Sequence, residues 1–143
     1  TSAKSYLYRG SKMHGYEVLV LREVSKEGEE SYTIPGGSKE GKESLEEAAT
    51  RELTEETGYC DFRIENYIGS RTYELDWDII WIKTDHLFLV HLLSDKKATQ
   101  NLVEYEKEVI KETLWVEIEK AFNLLTRENH AEHISLVKKL LNI

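Results

Sequence analysis

Glu52, Glu55 and Glu56 stand within five consecutive residues. Three carboxylates so close repel one another unless something positive sits among them. The chemistry that such residues offer is the binding of a divalent metal, whose ligands are oxygens. The question is then whether one element brings the three together.

The flanking residues predict a helix from about Ser44 to Thr57. Ser44 precedes a periodic run and Glu47 follows three residues later, the pattern of a capping box. Gly58 suits a left-handed C-terminal cap. At about 100° per residue, Leu45, Ala48, Ala49 and Leu53 form one apolar stripe. Glu47, Thr50, Arg51 and Thr54 fall on the opposite side. Glu52 and Glu56 project along the stripe and Glu55 lies at its edge, so the inward face turns from apolar to acidic. Carboxylates that face inward are rare unless paired or bound to metal. Glu46 and Glu47 are expected to be solvated.

The surrounding segment, residues 37 to 59, resembles the signature of the Nudix hydrolases. Gly37, Glu43, Arg51, Glu52, Leu53, Glu55, Glu56 and Gly58 match it at the right spacing. Tyr59 departs from it, where the family usually has an aliphatic residue; this touches packing, not chemistry. The resemblance implies an α/β chain with the Nudix fold, a three-layer α/β/α sandwich with a mixed sheet. It implies hydrolysis of a nucleoside diphosphate linked to another group, by attack of water on a pyrophosphate phosphorus with Mg2+ or Mn2+. Carried over, Glu52, Glu55 and Glu56 are metal ligands and Gly37 adds a backbone carbonyl. Glu43 is tied to Arg51 in a structural role, which fits an arginine pointing away from the acidic stripe. Glu55 can also accept the water proton, although family members recruit a base from a distant loop as well. Relatives frequently dimerise, and a homodimer is one form left open.

Composition agrees with this reading. One domain spanning residues 1–143 is long enough for a sizeable core, and 40% hydrophobic with 32% charged residues is ordinary for a globular protein. No apolar run is long enough to span a membrane, and no secretory signal opens the chain. With Cys60 as the single cysteine, a reduced, cytoplasmic setting is expected, the thiol being packed rather than reactive. A net charge of −8 argues against nucleic acid as a partner. A small anionic nucleotide remains compatible, since metal ions supply the local positive charge.

Around the helix, strands are expected at 6–9, 16–24, 31–34, 60–70, 71–75, 79–93 and 112–116. Residues 95–107 read as a polar loop, and 117–125 and 130–141 have helical spacing. Arg22, after an apolar strand core, is a candidate phosphate contact. Glu104, Glu106 and Glu108 precede Trp115, where relatives often place another metal-binding or base carboxylate; Glu108 is the choice. Trp77, between Asp76 and Asp78, is the candidate for stacking on a base, with Tyr73 nearby. Trp81 sits among isoleucines and is expected in the core. His86 and His91 are expected as ordinary strand residues, and His130 and His133 as surface residues.

Within the family, a nucleoside triphosphate pyrophosphohydrolase is the leading expectation from the segment Tyr32 to Gly37. A dinucleoside polyphosphate hydrolase is the rival, although its relatives often carry Lys where this chain has Gly37. A nucleotide-sensing module without turnover is the alternative from another class. Such modules commonly lose the acidic positions that Glu52, Glu55 and Glu56 keep.

Overall fold

The computed structural model describes residues 1–98, 110–125 and 131–143, without the side chains of residues 77, 110 and 131. Strand β1 (Ser2–Ser11) forms a hairpin with β2 (Gly15–Val24). Short strands β3 (Glu30–Thr33) and β4 (Gly36–Ser38) lead into helix α1 (Leu45–Thr57). Then come β5 (Phe62–Trp77), β6 (Ile79–Leu92), β7 (Ile110–Glu117), α2 (Ile118–Leu124) and α3 (Ala131–Leu140).

The seven strands form one sheet with the main order β3-β2-β1-β6-β5; β4 pairs with β1 and β7 with β2. The β1–β6 pairing is parallel, from Ser2 opposite Asp85 to Tyr8 opposite His91, and the others are antiparallel. The sheet is therefore mixed. Its middle is covered on both sides, which explains why Val18, Leu19, Val20 and Leu21 are all buried without alternation. Leu7, Leu19, Leu21, Phe88 and Val90 pack with Ala48, Ala49 and Leu53 of α1. Tyr6, Val18, Val20, Leu87 and Leu89 pack with Phe122 of α2 and Val137 of α3. Helices on both faces make the three layers expected.

Several elements differ from the sequence reading. Residues 62–77 form one strand, not two, with irregularities between Ile64 and Asn66 and between Tyr67 and Gly69. Strand β4 was not expected; Gly-Gly-Ser has little strand preference, and β1 recruits it by pairing Lys4 with Gly36 and Ala3 with Gly37. Trp81 is not core: it is 54% exposed, and Ile79, Ile80 and Ile82 around it are exposed too. The reason is topological. Strand β1 pairs with β6 only from Asp85 on, and among the described residues no strand pairs with that edge of β6 beyond this point. Cys60 is exposed rather than packed. His133 is half-buried, its Nε2 3.3 Å from where a Cβ on Gly69 would stand. No helix among the described residues is long and apolar enough to cross a membrane.

Candidate functional site

Helix α1 is built as its sequence specifies. The Ser44 hydroxyl accepts from the Glu47 amide at 3.0 Å, and the Glu47 carboxylate accepts from the Ser44 amide at 3.0 Å. Gly58 takes the left-handed conformation (φ 84°) and its amide donates to the Thr54 carbonyl. Tyr59 is buried just beyond, and its hydroxyl accepts from the Trp115 indole at 3.0 Å. The unusual tyrosine thus serves packing between α1 and β7.

Glu52 and Glu56 do face inward, 9% and 6% exposed, while Glu55 lies at the rim. The Glu56 carboxylate accepts from the Gly36 amide at 2.9 Å and from Lys111 Nζ at 2.9 Å. Lys111 also lies 3.7 Å from Glu23 on the neighbouring strand. Glu52 lies directly under Gly37: a Cβ there would stand 2.4 Å from its carboxyl carbon. Only glycine leaves space for the carboxylate, so the signature glycine is a steric requirement of this site.

Arg51 differs from expectation. Its Nε and Nη2 hold both Glu43 oxygens, at 2.7 and 3.0 Å, and Nη2 also donates to the Ser38 carbonyl. This is the expected tie between loop and helix. But Nη1 reaches Glu52 at 3.0 Å and Glu55 at 3.2 Å, so the side chain does not point away from the acids. Its Cβ leaves on the far side and the long stem carries the guanidinium back.

The electrostatics follow from these contacts. Burial pushes the Glu52 carboxyl above its usual value; Arg51 opposes this, and repulsion from Glu56 and Glu55 adds to it. The Arg51 guanidinium holds Glu43 down to about 2, helped by the Glu40 amide.

A family model, the NUDIX domain, matches residues 6–140. The chain belongs to the Nudix hydrolase family. Solved structures of similar fold include an Ap4A hydrolase from C. elegans (19% identity, 99% of this chain and 98% of that one, TM-score 0.70). Others are the E. coli dihydroneopterin triphosphate pyrophosphohydrolase (16%, 98% and 93%, 0.66) and a MutT protein from Methanosarcina mazei Go1 (21%, 96% and 92%, 0.63). No curated protein matches the chain.

Nudix hydrolases generally use divalent metals, and the donors here suit one. They are hard oxygens, mutually repulsive, with Gly37 leaving the carboxylate uncovered. As the side chains stand, no group of three acids, histidines or cysteines among the described residues is disposed around a single point. Arg51 instead bridges Glu43, Glu52 and Glu55, and Lys111 engages Glu56.

The remaining candidates of this Nudix domain are dispersed. Arg22 lies on β2 and is held by Glu30 at 2.9 Å and Glu112 at 3.3 Å. Trp77 ends β5 at the ribbon turn, and its side chain is not described. Glu104, Glu106, Glu108 and His130 lie outside the described residues. His86 meets the Tyr67 hydroxyl at 2.8 Å, and His91 stacks on Tyr8.

Sequence reasoning missed Lys111 and the group Lys4, Arg71 and Asp85. Asp85 is wholly buried, bonded to Arg71 at 3.0 Å with Lys4 at 3.8 Å, and Lys4 pairs with Gly36 beside the acids. An aspartate just ahead of the apolar run 87–90 was the available signal, since a buried acid needs a partner.

Proposed function

We propose that this protein hydrolyses a phosphoanhydride bond of a nucleotide with Mg2+ or Mn2+, most concretely as a nucleoside triphosphate pyrophosphohydrolase. The observation that supports this reading is the pair of buried acids, Glu52 and Glu56, under the Gly36–Gly37 strand. Glu52, Glu55, Glu56 and the Gly37 carbonyl are the proposed metal ligands, with Glu108 as a further one. When bound, the metal neutralises charge on the pyrophosphate and acidifies a water molecule. Glu55, on the rim, accepts the proton as water attacks phosphorus and the bridging P–O bond breaks. Arg51 orients Glu52 and Glu55 through one nitrogen and anchors the loop through the others. Lys111 holds Glu56 in place. Arg22 and Trp77 are the proposed substrate contacts.

The test is a panel of nucleoside triphosphates, dinucleoside polyphosphates and nucleotide sugars with each metal. Release of pyrophosphate and a nucleoside monophosphate is expected, and Glu56→Gln should lower it at least about a hundredfold. Turnover confined to dinucleoside polyphosphates would replace the leading substrate. No turnover of any nucleotide with either metal would favour a sensor, and undiminished turnover in Glu55→Gln and Glu56→Gln would remove the mechanism.

A further inference from the structure

The β5–β6 ribbon beyond Arg71 and Asp85 carries a run of exposed apolar side chains. Ile79, Ile80, Trp81 and Ile82 are consecutive and are 61%, 66%, 54% and 72% exposed. Taking roughly 150–250 Å² for a large side chain, they show water roughly 400 Å² of apolar surface. Alternation along β6 puts Ile79 and Trp81 on one face and Ile80 and Ile82 on the other, so both faces of the ribbon are apolar, and exposed apolar surface of this kind marks an interaction site.

Its backbone is also open. One edge of β6 is paired to β5 throughout, from Phe62 opposite Leu92 to Trp77 opposite Ile79. The other edge is paired to β1 only from Asp85 to His91. Among the described residues, no strand pairs with residues 79–84 on that side. An exposed, apolar strand edge is a template for another strand.

We propose that this edge is the docking surface for a second copy of the chain, the two β6 strands pairing antiparallel about a two-fold axis near Ile80. Three features argue for a second copy. A two-fold normal to the sheet keeps each face continuous, so Ile79 of one copy meets Trp81 of the other and Ile80 meets its own mate. One charge pair at the turn is self-complementary. Glu74, Asp76 and Asp78 make the ribbon acidic, Lys83 is the basic residue on its β6 strand, and this pairing sets Lys83 beside the Asp78 turn of the second copy. The area suits a weak dimer. A standard interface needs about 800 Å² per partner, and the four apolar side chains offer at most about half; the paired main chain and Lys83 add to this, which sets the contact at the small, weakly associating end.

Sedimentation velocity from micromolar to millimolar concentration tests this. The expected result is a dimer whose fraction rises with concentration. The double variant Ile80→Lys with Trp81→Lys should be monomeric throughout, with the far-UV spectrum and melting midpoint of the parent. Lys83→Glu, which sets acid against acid, should weaken association about tenfold, and Asp78→Asn added to it should recover part of the loss. A parent that is monomeric at every concentration would overturn the proposal. So would a dimer that persists undiminished in both variants. A monomer that floats with phospholipid vesicles would reassign the patch to a lipid surface.

Discussion

Where β1 begins, Glu52 and Glu56 are buried beside one another; where it ends, Glu65 is partly buried beside Tyr8 and His91. The ingredients are similar and the outcomes are opposite. Glu65 sits at an irregularity of β5, between Ile64 and Asn66, which aims it at the Tyr8 hydroxyl. Burial pushes its carboxyl up, but the hydrogen bonds from Tyr8 and Arg63 outweigh this, and the group ends below its ordinary value. At the other end burial prevails: Glu52 is raised, with like charges adding to the shift. An acid that serves architecture is given donors and kept from other acids. At the signature helix the acids are crowded, and two long cationic side chains, Arg51 and Lys111, bring them their charge partners.

The contrast can be broken most severely at Gly37. Gly37→Ala puts a methyl where the Glu52 carboxyl stands, so the carboxyl must shift by an ångström or more. Turnover on the best nucleotide should fall about a hundredfold, with a much smaller change in melting midpoint. A parental rate would show that the position of Glu52 is unimportant.

Lys111→Met removes the ammonium that lies 2.9 Å from the Glu56 carboxylate and keeps the Gly36 amide. Unfolding in chelator should show a loss of about 2–4 kcal/mol. Mg2+ or Mn2+ should restore more stability to the variant than to the parent. Equal metal responses would mean that Lys111 and the metal do not share a role.

Glu65→Ala strips the acceptor from the buried Tyr8 hydroxyl. Denaturant titration should show a loss of about 1–3 kcal/mol, while the rate per folded molecule stays parental. A loss of rate would link the two ends of the sheet.

The smallest expected effect is in acid. Glu43 lies at about 2 in the folded chain against an ordinary 4.5, so it binds its proton less tightly when folded. Its contribution to stability is complete above the unfolded value and disappears as pH falls through about 2. The melting midpoint of Glu43→Gln should therefore vary less than that of the parent between pH 4.5 and 2. Identical profiles would show that the Arg51 tie adds nothing.

Much of the acidic site was legible because it lies on one helix. Caps and periodicity are local, so they set the bounds of α1 and the inward aspect of Glu52 and Glu56. Arg51 was misjudged because a helical wheel records where a side chain leaves the axis, not where its end arrives. Lys111 was invisible for another reason: it opposes Glu23 only through the β2–β7 register, and β7 follows α1 at a distance. Trp81 failed because an apolar run looks the same whether or not a neighbouring strand continues beside it. Asp85 went unremarked because Arg71 and Lys4 become its neighbours only when three strands assemble.

The reach of Lys111 to Glu56 also bears on how the chain comes to life on the ribosome. The helix that carries the acids is made in the first half of the sequence, and its counter-cation arrives after β6 is complete. A nascent chain released before β7 has no Lys111 to answer Glu56. Pairing of Glu56 with this cation thus waits on the synthesis of β7, and nascent chains in which β7 has or has not emerged from the ribosome should differ sharply in nucleotide turnover.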